Sequence, residues 1–596
     1  MRMAMTNDTH THTQDTCQRI SVLRATENDS KDIWEWRNDE LTKQMSITTD
    51  GVSWETHSSW YEKSLVNPNR YLYLGFLDND IKIGMCRFDV DVNTNIAEVS
   101  INLNPQQKSK KLSYQLLSQA ITKFCEERNT DLVATIKKSN IGSIKCFTKS
   151  GFTFEREDND YNYYRKTNKV EGINVRYIYS ACVITTTPDI SILHDPWFTE
   201  GIYDGSWFHF PKIENPLESI GDVDFIYVSH IHPDHYDIDC LKKYFERYGT
   251  KQVLIANHLP NHLAGKMRAE GIEPTVLKDK LTIGNTTVEI VAHKTGSISD
   301  IDSAIVIKYQ ASSTKQHCVV NANDIIFDED MRRNLKTVAN EVDILLCGYT
   351  GAGPYPQTYF NSSDNQLNVE ANNKKMAFFE RYKTLVKAID AKVNIPFAGK
   401  YILGGKLVGL NDFRGVADPV EVLEFDEKAV VLADNGGEIN TSNLIPNHIR
   451  TNKYDEREKI KRIEEIKTMR MDYERLIASE EIGQLPLKRL LFSASRNAVS
   501  KSECDEDYYF CIRLPNEQVA VINANKNESK SLSFAEKSTP LPTPRSEIFI
   551  DPRYLFGLLT NVYHWNNAEV GSQYDTRRTP NSLNRKAQAF LNYLAI

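Results

Sequence analysis

The sequence predicts a multidomain α/β protein. Its 596 residues exceed what one hydrophobic core usually supports, so two or more domains are expected. Strand-like and helix-like segments alternate through residues 20 to 168, and strand signals restart at Val175 after a polar stretch. Several later apolar strands end in histidine or aspartate, which predicts a functional site at one edge of a sheet.

The composition is that of a globular chain without unusual bias. Hydrophobic residues make up 40%, charged residues 26%, and the net charge is -8, so a nucleic-acid partner is not expected. The longest apolar runs are too short to span a bilayer, and the first 18 residues are polar, unlike a secretory signal. Ten dispersed cysteines without a C-x-x-C pair fit reduced thiols. We expect a cytoplasmic protein with no membrane partner and leave oligomerisation open.

The chain is expected to divide into four regions. Within the last region, apolar residues recur at three- and four-residue spacing from Lys453 to Ile482, which predicts one long amphipathic helix in a helical or mixed extension. The regions are a disordered N-terminus (1–18), a first α/β domain (19–168), a domain carrying the histidine run (175–445) and a C-terminal extension (446–596).

The order of parts in residues 19–168 is distinctive. A strand, a helix carrying Trp36 to Glu40 (W-R-N-D-E), three further strands and a helix from about Leu112 to Glu127 follow one another. The motif His57 to Trp60 (H-x-x-W) and the run Asn140 to Ser143 complete the pattern. This region resembles the GNAT acyltransferases, and among them the amino-sugar N-acetyltransferases of surface-glycan pathways. The resemblance implies an α/β acyltransferase fold.

The same resemblance implies an acetyl-CoA site, with departures from the family pattern. In the family a glycine-rich turn cradles the pyrophosphate, whereas here Ser109, Lys111 and Ser113 replace the glycines. Phe147 stands where a tyrosine often acts as general acid. Acetyl transfer and a retained fold used as a scaffold or sugar-binding module both stay open. The candidate cofactor-binding residues are Lys108, Ser109, Lys110, Lys111, Leu112, Ser113 and Asn140.

The most informative run is Ser229 to His235, which reads S-H-I-H-P-D-H behind the apolar stretch Val223 to Val228. It offers three imidazoles and a carboxylate within one short loop, the ligand types that borderline transition metals prefer. Scattered surface histidines are the alternative. Two later strands also end in candidate ligands, His293 and Asp324.

This order of ligands resembles the metallo-β-lactamase superfamily, which implies a four-layer αββα sandwich. On that resemblance His230, His232 and His293 form one metal position. Asp234 and His235, the candidate catalytic residues, serve a second, and Asp324 bridges the two. One or two iron or zinc ions are implied.

The superfamily's last histidine is absent from the comparable stretch, Val393 to Lys400. His258 and His262, four apart on an expected helix, are candidate substitutes or an exposed helix face.

A narrower resemblance is to the metal domain of CMP-N-acetylneuraminate hydroxylases. It rests on motifs spread in order over the chain: Asp195–Phe198, Ser229–His235, Asn321–Asp324, Tyr349–Pro356, Pro396–Gly399, Asp551–Leu555 and His564–Ala568. Those hydroxylases also carry a Rieske cluster, which needs C-x-H and C-x-x-H. Neither spacing occurs here, so the electrons for an oxygenase would come from a separate electron-transfer protein or be drawn from the substrate by the metal site.

Three hypotheses follow. The first and favoured one is a metal-dependent oxygenase or hydroxylase of an acylated amino or nonulosonic sugar, with a sugar or nucleotide-sugar substrate. The second is a zinc metallohydrolase of an ester, amide or phosphodiester. The third is a non-catalytic binding or assembly protein. The glycine-rich loop Thr350 to Pro356 either contacts substrate or is simply a tight loop. Lys400 and Arg414 either meet a phosphate or carboxylate or are solvated.

Overall fold

The chain separates into two compact units, residues 1–170 and residues 171–596. The predicted disordered N-terminus, 1–18, lies outside the described residues. Among the described helices, none is both long and apolar enough to cross a membrane. The computed structural model describes residues 20–77, 81–92, 94, 96–108, 112–128, 130–166, 172–294, 301–325, 327–515, 517–528 and 531–596.

The first unit is a mixed sheet with helices packed on it. Neighbouring strands are antiparallel except for Ile96–Leu103 and Asp131–Lys137, which run parallel. In spatial order the described strands are Ile20–Arg24, Arg70–Leu77, Ile81–Asp91, Ile96–Leu103, Asp131–Lys137, Tyr161–Lys166 and Thr153–Glu157. The helices are Ser30–Arg37, Glu40–Met45, Trp54–Leu65, Ser113–Glu127 and Ile141–Lys149.

The helix Ser113–Glu127 packs on this sheet because its apolar residues recur on one face. Leu116, Leu117, Ala120 and Phe124 are all fully buried in the unit's main core. The predicted helix over Trp34 to Glu40 is wrong in one respect, since it is two helices. The first ends at Arg37, and the Asp39 side chain caps the second by accepting a hydrogen bond from Thr42 N.

The second unit contains two sheets that pack face to face. Their shared core joins Val183 and Ile192 of one sheet to Ile307 and Leu346 of the other. The first sheet comprises Thr275–Leu277, Gln252–Ala256, Phe225–Tyr227, Ser191–His194, Cys182–Thr186, Asn174–Tyr179 and Gly437–Asn440. The second sheet comprises Leu281–Ile283, Thr286–Ala292, Ser303–Gln310, Gln316–Asn321, Ile344–Gly348 and Val393–Phe397.

Helices cover the outer face of each sheet. Ile238–Tyr248 and His262–Ala269 pack on the first sheet, and Glu329–Val338 and Asn365–Ile389 pack on the second. The layers are therefore helix, sheet, sheet and helix. Because both faces of each sheet are covered, central strands such as Ile344–Gly348 are almost continuously apolar. The expected helix carrying both His258 and His262 is wrong, because His258 precedes the helix that begins at His262.

The long helix expected over residues 453–482 is also wrong. The segment forms Glu456–Ile466, then Asp472–Leu476, then a 3₁₀ turn at Ser479–Gln484. Met471 between the two helices is extended and fully buried. Gly205 and Gly405 approach the backbone of residues 469–472 so closely that a Cβ on either would clash with it. Tertiary contact therefore overrides the helical spacing here.

The C-terminal residues share a core with the loops of the two-sheet region. Trp197, Trp207 and Tyr401 from that region pack in one cluster with Leu491 and Trp565. Together they form part of the second compact unit. The C-terminal sheet comprises Leu532–Glu536, Gln518–Asn523, Tyr509–Arg513, Arg545–Phe549 and Asp575–Thr579. Its helices are Leu487–Lys501, Pro552–Leu559, Trp565–Val570 and Arg585–Phe590.

Candidate metal centre and acyl-transfer cleft

Two parallel strands of the first sheet deliver polar residues to one edge. Ser191–His194 is followed by Asp195, and its parallel neighbour Phe225–Tyr227 is followed by the loop that begins near Ser229. The carboxyl ends of parallel strands meet at the same sheet edge, so the two segments come together.

Asp195 holds the segments at this sheet edge together by hydrogen bonds. It is fully buried, and its carboxylate accepts hydrogen bonds from Ser229 N at 2.7 Å and Ser229 Oγ at 2.8 Å. Asn323 Nδ2 donates to it at 2.7 Å, and His235 Nδ1 lies 3.0 Å away. In the sequence, Asp195 stands out only as the first residue of the motif Asp195–Phe198. An aspartate directly behind a buried strand was the signal that could have identified it.

Each histidine of the loop has one ring nitrogen held by an outer hydrogen bond. His230 Nδ1 lies 3.0 Å from Ser229 Oγ, and His235 Nδ1 donates to Asp195. His232 Nε2 donates to Asn566 Oδ1 at 3.0 Å. For a neutral ring these partners favour the proton on the outer nitrogen, and they turn His230 Nε2, His232 Nδ1 and His235 Nε2 toward the inside of the site.

The free nitrogens converge. His230 Nε2 and His232 Nδ1 are 2.9 Å apart. Two imidazole nitrogens at this distance either share one proton in a hydrogen bond or bind a common cation. Ligand atoms about 2.1 Å from a tetrahedral ion are themselves about 3.4 Å apart, so the spacing is close to that of two ligands on one ion.

Carboxylates complete the donor set. His235 Nε2 lies 3.4 Å from Asp234 Oδ2 and 3.4 Å from Asp324 Oδ2. Ligand atoms of His230, His235 and Asp324 all lie within 4.8 Å of one another. Burial lowers the pKa of His235, but Asp234, Asp324 and Asp195 outweigh burial and hold that pKa well above its ordinary value. The carboxylates around His235 therefore favour a positive charge in this region.

His293, expected in the first metal position, lies against an aspartate in this structure, and its assignment as a ligand stays a prediction. It is buried, and its Nε2 lies 2.9 Å from Asp328 Oδ2. Binding a metal through Nε2 would require His293 to leave Asp328. The residues that the structure groups within one ion's reach are His230, His235 and Asp324, with His232 against the first and Asp234 against the second.

Asp302 belongs to the same surroundings and was missed from the sequence. Burial raises its pKa to about 6, with Asp324 adding to the shift and His232 opposing it. Its Oδ1 lies 3.8 Å from His230 Nδ1. The strand register pairs Ala292 with Ser303, so the residues just beyond these two, His293 and Asp302, are adjacent. Only this register could have identified Asp302.

Tyr203 forms a wall of the site. Its hydroxyl donates to Asp234 Oδ1 at 2.5 Å, and its ring packs on Trp207 with centroids 4.5 Å apart. Trp207 in turn stacks on Tyr401 at 3.4 Å. This aromatic stack is fully buried and keeps water from one side of Asp234.

The first unit contains a cleft of about 480 Å³. Two guanidinium groups face it, those of Arg37 and Arg87, and burial and then Arg87 lower the pKa of Arg37. None of the described residues that line the cleft is acidic. Phe147 lines it as well and packs edge-on against Phe152. Arg87 Nε also lies 2.8 Å from Asp89 Oδ2, so Arg37 is the cation of this pair that has no ion pair among the described residues.

The predicted cofactor-binding residues are only partly visible. Ser109, Lys110 and Lys111 lie outside the described residues. Lys108 pairs with Asp39 and donates to Thr42 Oγ1 at 3.0 Å, so its charge is already neutralised. Leu112 is buried in the core, and Ser113 begins the helix. Asn140 lines the cleft while its side chain caps the helix Ile141–Lys149.

A family model described as an acetyltransferase (GNAT) domain matches residues 19–153. The first unit therefore carries a GNAT acetyltransferase domain. Among solved structures, the Vibrio cholerae spermidine N-acetyltransferase in complex with CoA and spermine is 13% identical. That match covers 24% of this chain and 92% of that one, with a TM-score of 0.23.

The chain also has distant similarity to hydroxylase and Rieske proteins. A Mycolicibacterium smegmatis protein described as a Rieske 2Fe-2S iron-sulfur protein is 29% identical over 41% of this chain and 46% of its own length. The cytidine monophosphate-N-acetylneuraminic acid hydroxylase of Macaca mulatta is 22% identical over 39% of this chain and 38% of its own. The chain thus spans less than half the length of these curated relatives.

Proposed function

We propose that residues 171–596 form a metal-dependent hydroxylase or oxygenase. Its substrate would be an acylated amino sugar or nonulosonic acid, free or nucleotide-linked. The observation that carries the proposal is the 2.9 Å approach of two imidazole nitrogens, His230 Nε2 and His232 Nδ1, beside the carboxylates of Asp234 and Asp324. Nitrogen and carboxylate donors are the ligands that iron and zinc take from proteins.

The layer order supports assignment to the metallo-β-lactamase fold. Two face-to-face sheets lie between helical layers, and the candidate ligands follow strands at one sheet edge. The similarity to cytidine monophosphate-N-acetylneuraminic acid hydroxylases supports hydroxylation as the reaction and a sialic-acid-like sugar as the substrate. Fold alone would not choose a reaction.

The residues of the chain have distinct roles in this proposal. A bound iron would supply the redox chemistry that activates dioxygen, whereas a bound zinc would supply a Lewis acid. His230, His232, His235 and Asp324 would hold one or two ions, and Asp195 and Asn566 would orient the rings. Tyr203 would hold Asp234 by its hydrogen bond. Since neither Rieske spacing occurs in the sequence, the electrons would come from a separate electron-transfer protein.

The same ligand types suit a zinc hydrolase, which is the second candidate. Elemental analysis of anaerobically purified protein separates the two. We expect iron, and an oxygen atom added to CMP-N-acetylneuraminate or N-acetylneuraminate, detected by mass, when reductant and air are supplied. Zinc together with oxygen-independent hydrolysis of an ester, amide or phosphodiester would establish the hydrolase instead. Protein that retains neither metal would overturn both.

Single-site variants test the ligand assignment. His232→Ala should lose metal, because it removes one of the paired nitrogens. His262→Ala is the matched control, since His262 is exposed at the start of a helix. Equal metal content in wild type and His232→Ala would contradict the assignment.

We further propose that the first unit binds acetyl-CoA and transfers acetyl to an amine that also carries an anionic group. The match to the GNAT domain supports the donor. Arg37, which has no ion pair among the described residues and lies in a cleft whose described lining has no acidic residue, supports an anionic acceptor, because its charge would repel a polyamine.

Calorimetric titration of acetyl-CoA tests the donor. The acetylation rates of glucosamine 6-phosphate and spermidine are compared to test the acceptor. We expect micromolar binding and preference for the phosphate-bearing amine. Absence of heat would favour a retained fold used as a scaffold, and preference for spermidine would contradict the acceptor class.

A further inference from the structure

Arg414 is a buried cation without an acidic partner. Only 5% of the residue is exposed, and no described carboxylate forms an ion pair with it. Its Nη2 donates to the backbone oxygen of Tyr401 at 2.8 Å, and its guanidinium lies 4.2 Å from the centre of the Tyr401 ring. Within the described residues, Nε and Nη1 have no hydrogen-bond partner. A buried guanidinium with two unused donors is costly unless something binds them.

A second cation lies within electrostatic reach. Burial, and then the positive charge of Arg414, lower the pKa of Lys374 to about 7. Lys374 Nζ lies 3.5 Å from the backbone oxygen of Gly353. Glu370, one turn earlier, accepts from the Tyr355 hydroxyl at 2.7 Å. Among the described contacts no ion pair joins Glu370 or any other carboxylate to Lys374.

The local packing explains why the two cations come together. Ala371, Lys374 and Phe378 share one face of the helix Asn365–Ile389 by their spacing. Gly415, next to Arg414, approaches the Ala371 backbone so closely that a Cβ there would lie 2.3 Å from Ala371 O. Gly351 likewise lies against the Phe378 ring. The glycine-rich loop and the segment carrying Arg414 thus converge on the face that presents Lys374.

This position adjoins the candidate metal centre. Burial raises the pKa of Tyr401, and both Arg414 and Asp234 act on it, in opposite directions. A chain of contacts joins the two places. Arg414 lies over the Tyr401 ring, and Tyr401 stacks on Trp207. Trp207 packs on Tyr203, whose hydroxyl donates to Asp234.

We infer that Arg414 and Lys374 form a binding site for an oxyanion, the carboxylate or phosphate of a small molecule. The guanidinium has unpartnered N–H donors on Nε and Nη1 from which an oxyanion can accept, and the ammonium adds a second charge. The glycine-rich loop supplies the closely approaching backbone. Its use as the anchor that points a sugar acid or nucleotide sugar at the metal centre rests on the proposed function, whereas anion binding itself does not.

Direct binding measurements on the full chain test the site without any turnover. Inorganic phosphate and N-acetylneuraminate are titrated separately by calorimetry at pH 6.5, so that the two arms distinguish phosphate from carboxylate. We expect at least one of the two anions to bind. Arg414→Gln should raise the dissociation constant for that anion about tenfold or more, since charge-assisted hydrogen bonds contribute that much.

Lys374→Met should weaken binding of the same anion, and Lys375→Met is the matched control. Lys375 is the next residue on the helix, and its charge is already paired with Glu421 at 3.0 Å. If Arg414→Gln fails to fold, the Lys374→Met and Lys375→Met pair decides the question. Binding of neither anion to wild type, or equal weakening by both lysine variants, would overturn the inference. Anion binding that persists in metal-free, inactive protein would separate this site from the proposed hydroxylation.

Discussion

Asn566 Oδ1 lies 3.0 Å from His232 Nε2, although 334 residues separate the two in sequence. The amide oxygen can only accept, so it fixes the proton on Nε2 and turns Nδ1 towards His230. A residue from the C-terminal part of the chain therefore determines which nitrogen of a candidate ligand is available.

Asn566→Ala should weaken metal binding about 10- to 100-fold, because outer hydrogen bonds of this kind orient the ligand and set its tautomer. The measurement is the metal dissociation constant by competition with a chelator. Asn567→Ala, at the neighbouring position, serves as the control. An unchanged constant in Asn566→Ala would mean that His232 does not bind metal through Nδ1.

Phe147→Tyr should raise acetyl transfer by the first unit about 100-fold, because it restores a proton donor to the cleft. The added hydroxyl should leave acetyl-CoA affinity unchanged, and calorimetry checks that control. Steady-state rates that stay equal to wild type would show that Phe147 does not stand at the position of the general acid.

Asp204→Asn should stabilise the protein at neutral pH. Burial raises the pKa of Asp204 to about 6, although the Tyr554 hydroxyl donates to it at 2.6 Å and opposes the shift. The unfolded carboxyl titrates near pH 3.9, so the folded state binds the proton more tightly between these values. The contribution of Asp204 to wild-type stability is therefore greatest below about pH 4 and falls as pH rises to about 6.

Asparagine does not titrate and tolerates the left-handed backbone at this position, where φ is 63°. We expect the variant to gain about 1 to 3 kcal/mol at pH 8 and much less at pH 4.5. Thermal unfolding at the two pH values is the measurement, with the exposed Asp330→Asn as control. A gain of equal size at both pH values would contradict the shifted titration.

Gly205→Ala should destabilise the second unit by more than about 2 kcal/mol. Its φ is +96°, and an added Cβ would lie 2.9 Å from Met471 Cα. Gly265→Ala is the control, because a Cβ there meets nothing within 4 Å, and in mid-helix it should stabilise by about 0.5 to 1 kcal/mol. Denaturant unfolding compares the two. Similar midpoints for both variants would show that the break before Asp472 does not depend on close backbone contact.

Local sequence patterns determine part of the fold and part of the candidate site. The histidine loop could be found because its ligands lie within one turn behind a buried strand, and the alternation of strands and helices identified the first domain. The match of a GNAT domain model to residues 19–153 confirms that domain. That the histidines bind a metal stays a prediction.

The remaining parts depend on distant contacts that leave no local pattern. Asn566 and Asp195 are identified only by what their side chains touch, and Asp302 only by the register that sets it beside His293. The helix expected over residues 453–482 breaks because Gly205 and Gly405 meet its backbone. In each case a three-dimensional contact decides what residue spacing leaves open.

The aromatic stack of Trp207 and Tyr401 is sealed by residues such as Leu491 and Trp565 from the far end of the chain. A protein shortened before Lys453 would expose these rings to water and would be expected to aggregate or be digested. A protein engineered to contain the histidine loop, alone or fused to another protein, must therefore include all of residues 171–596.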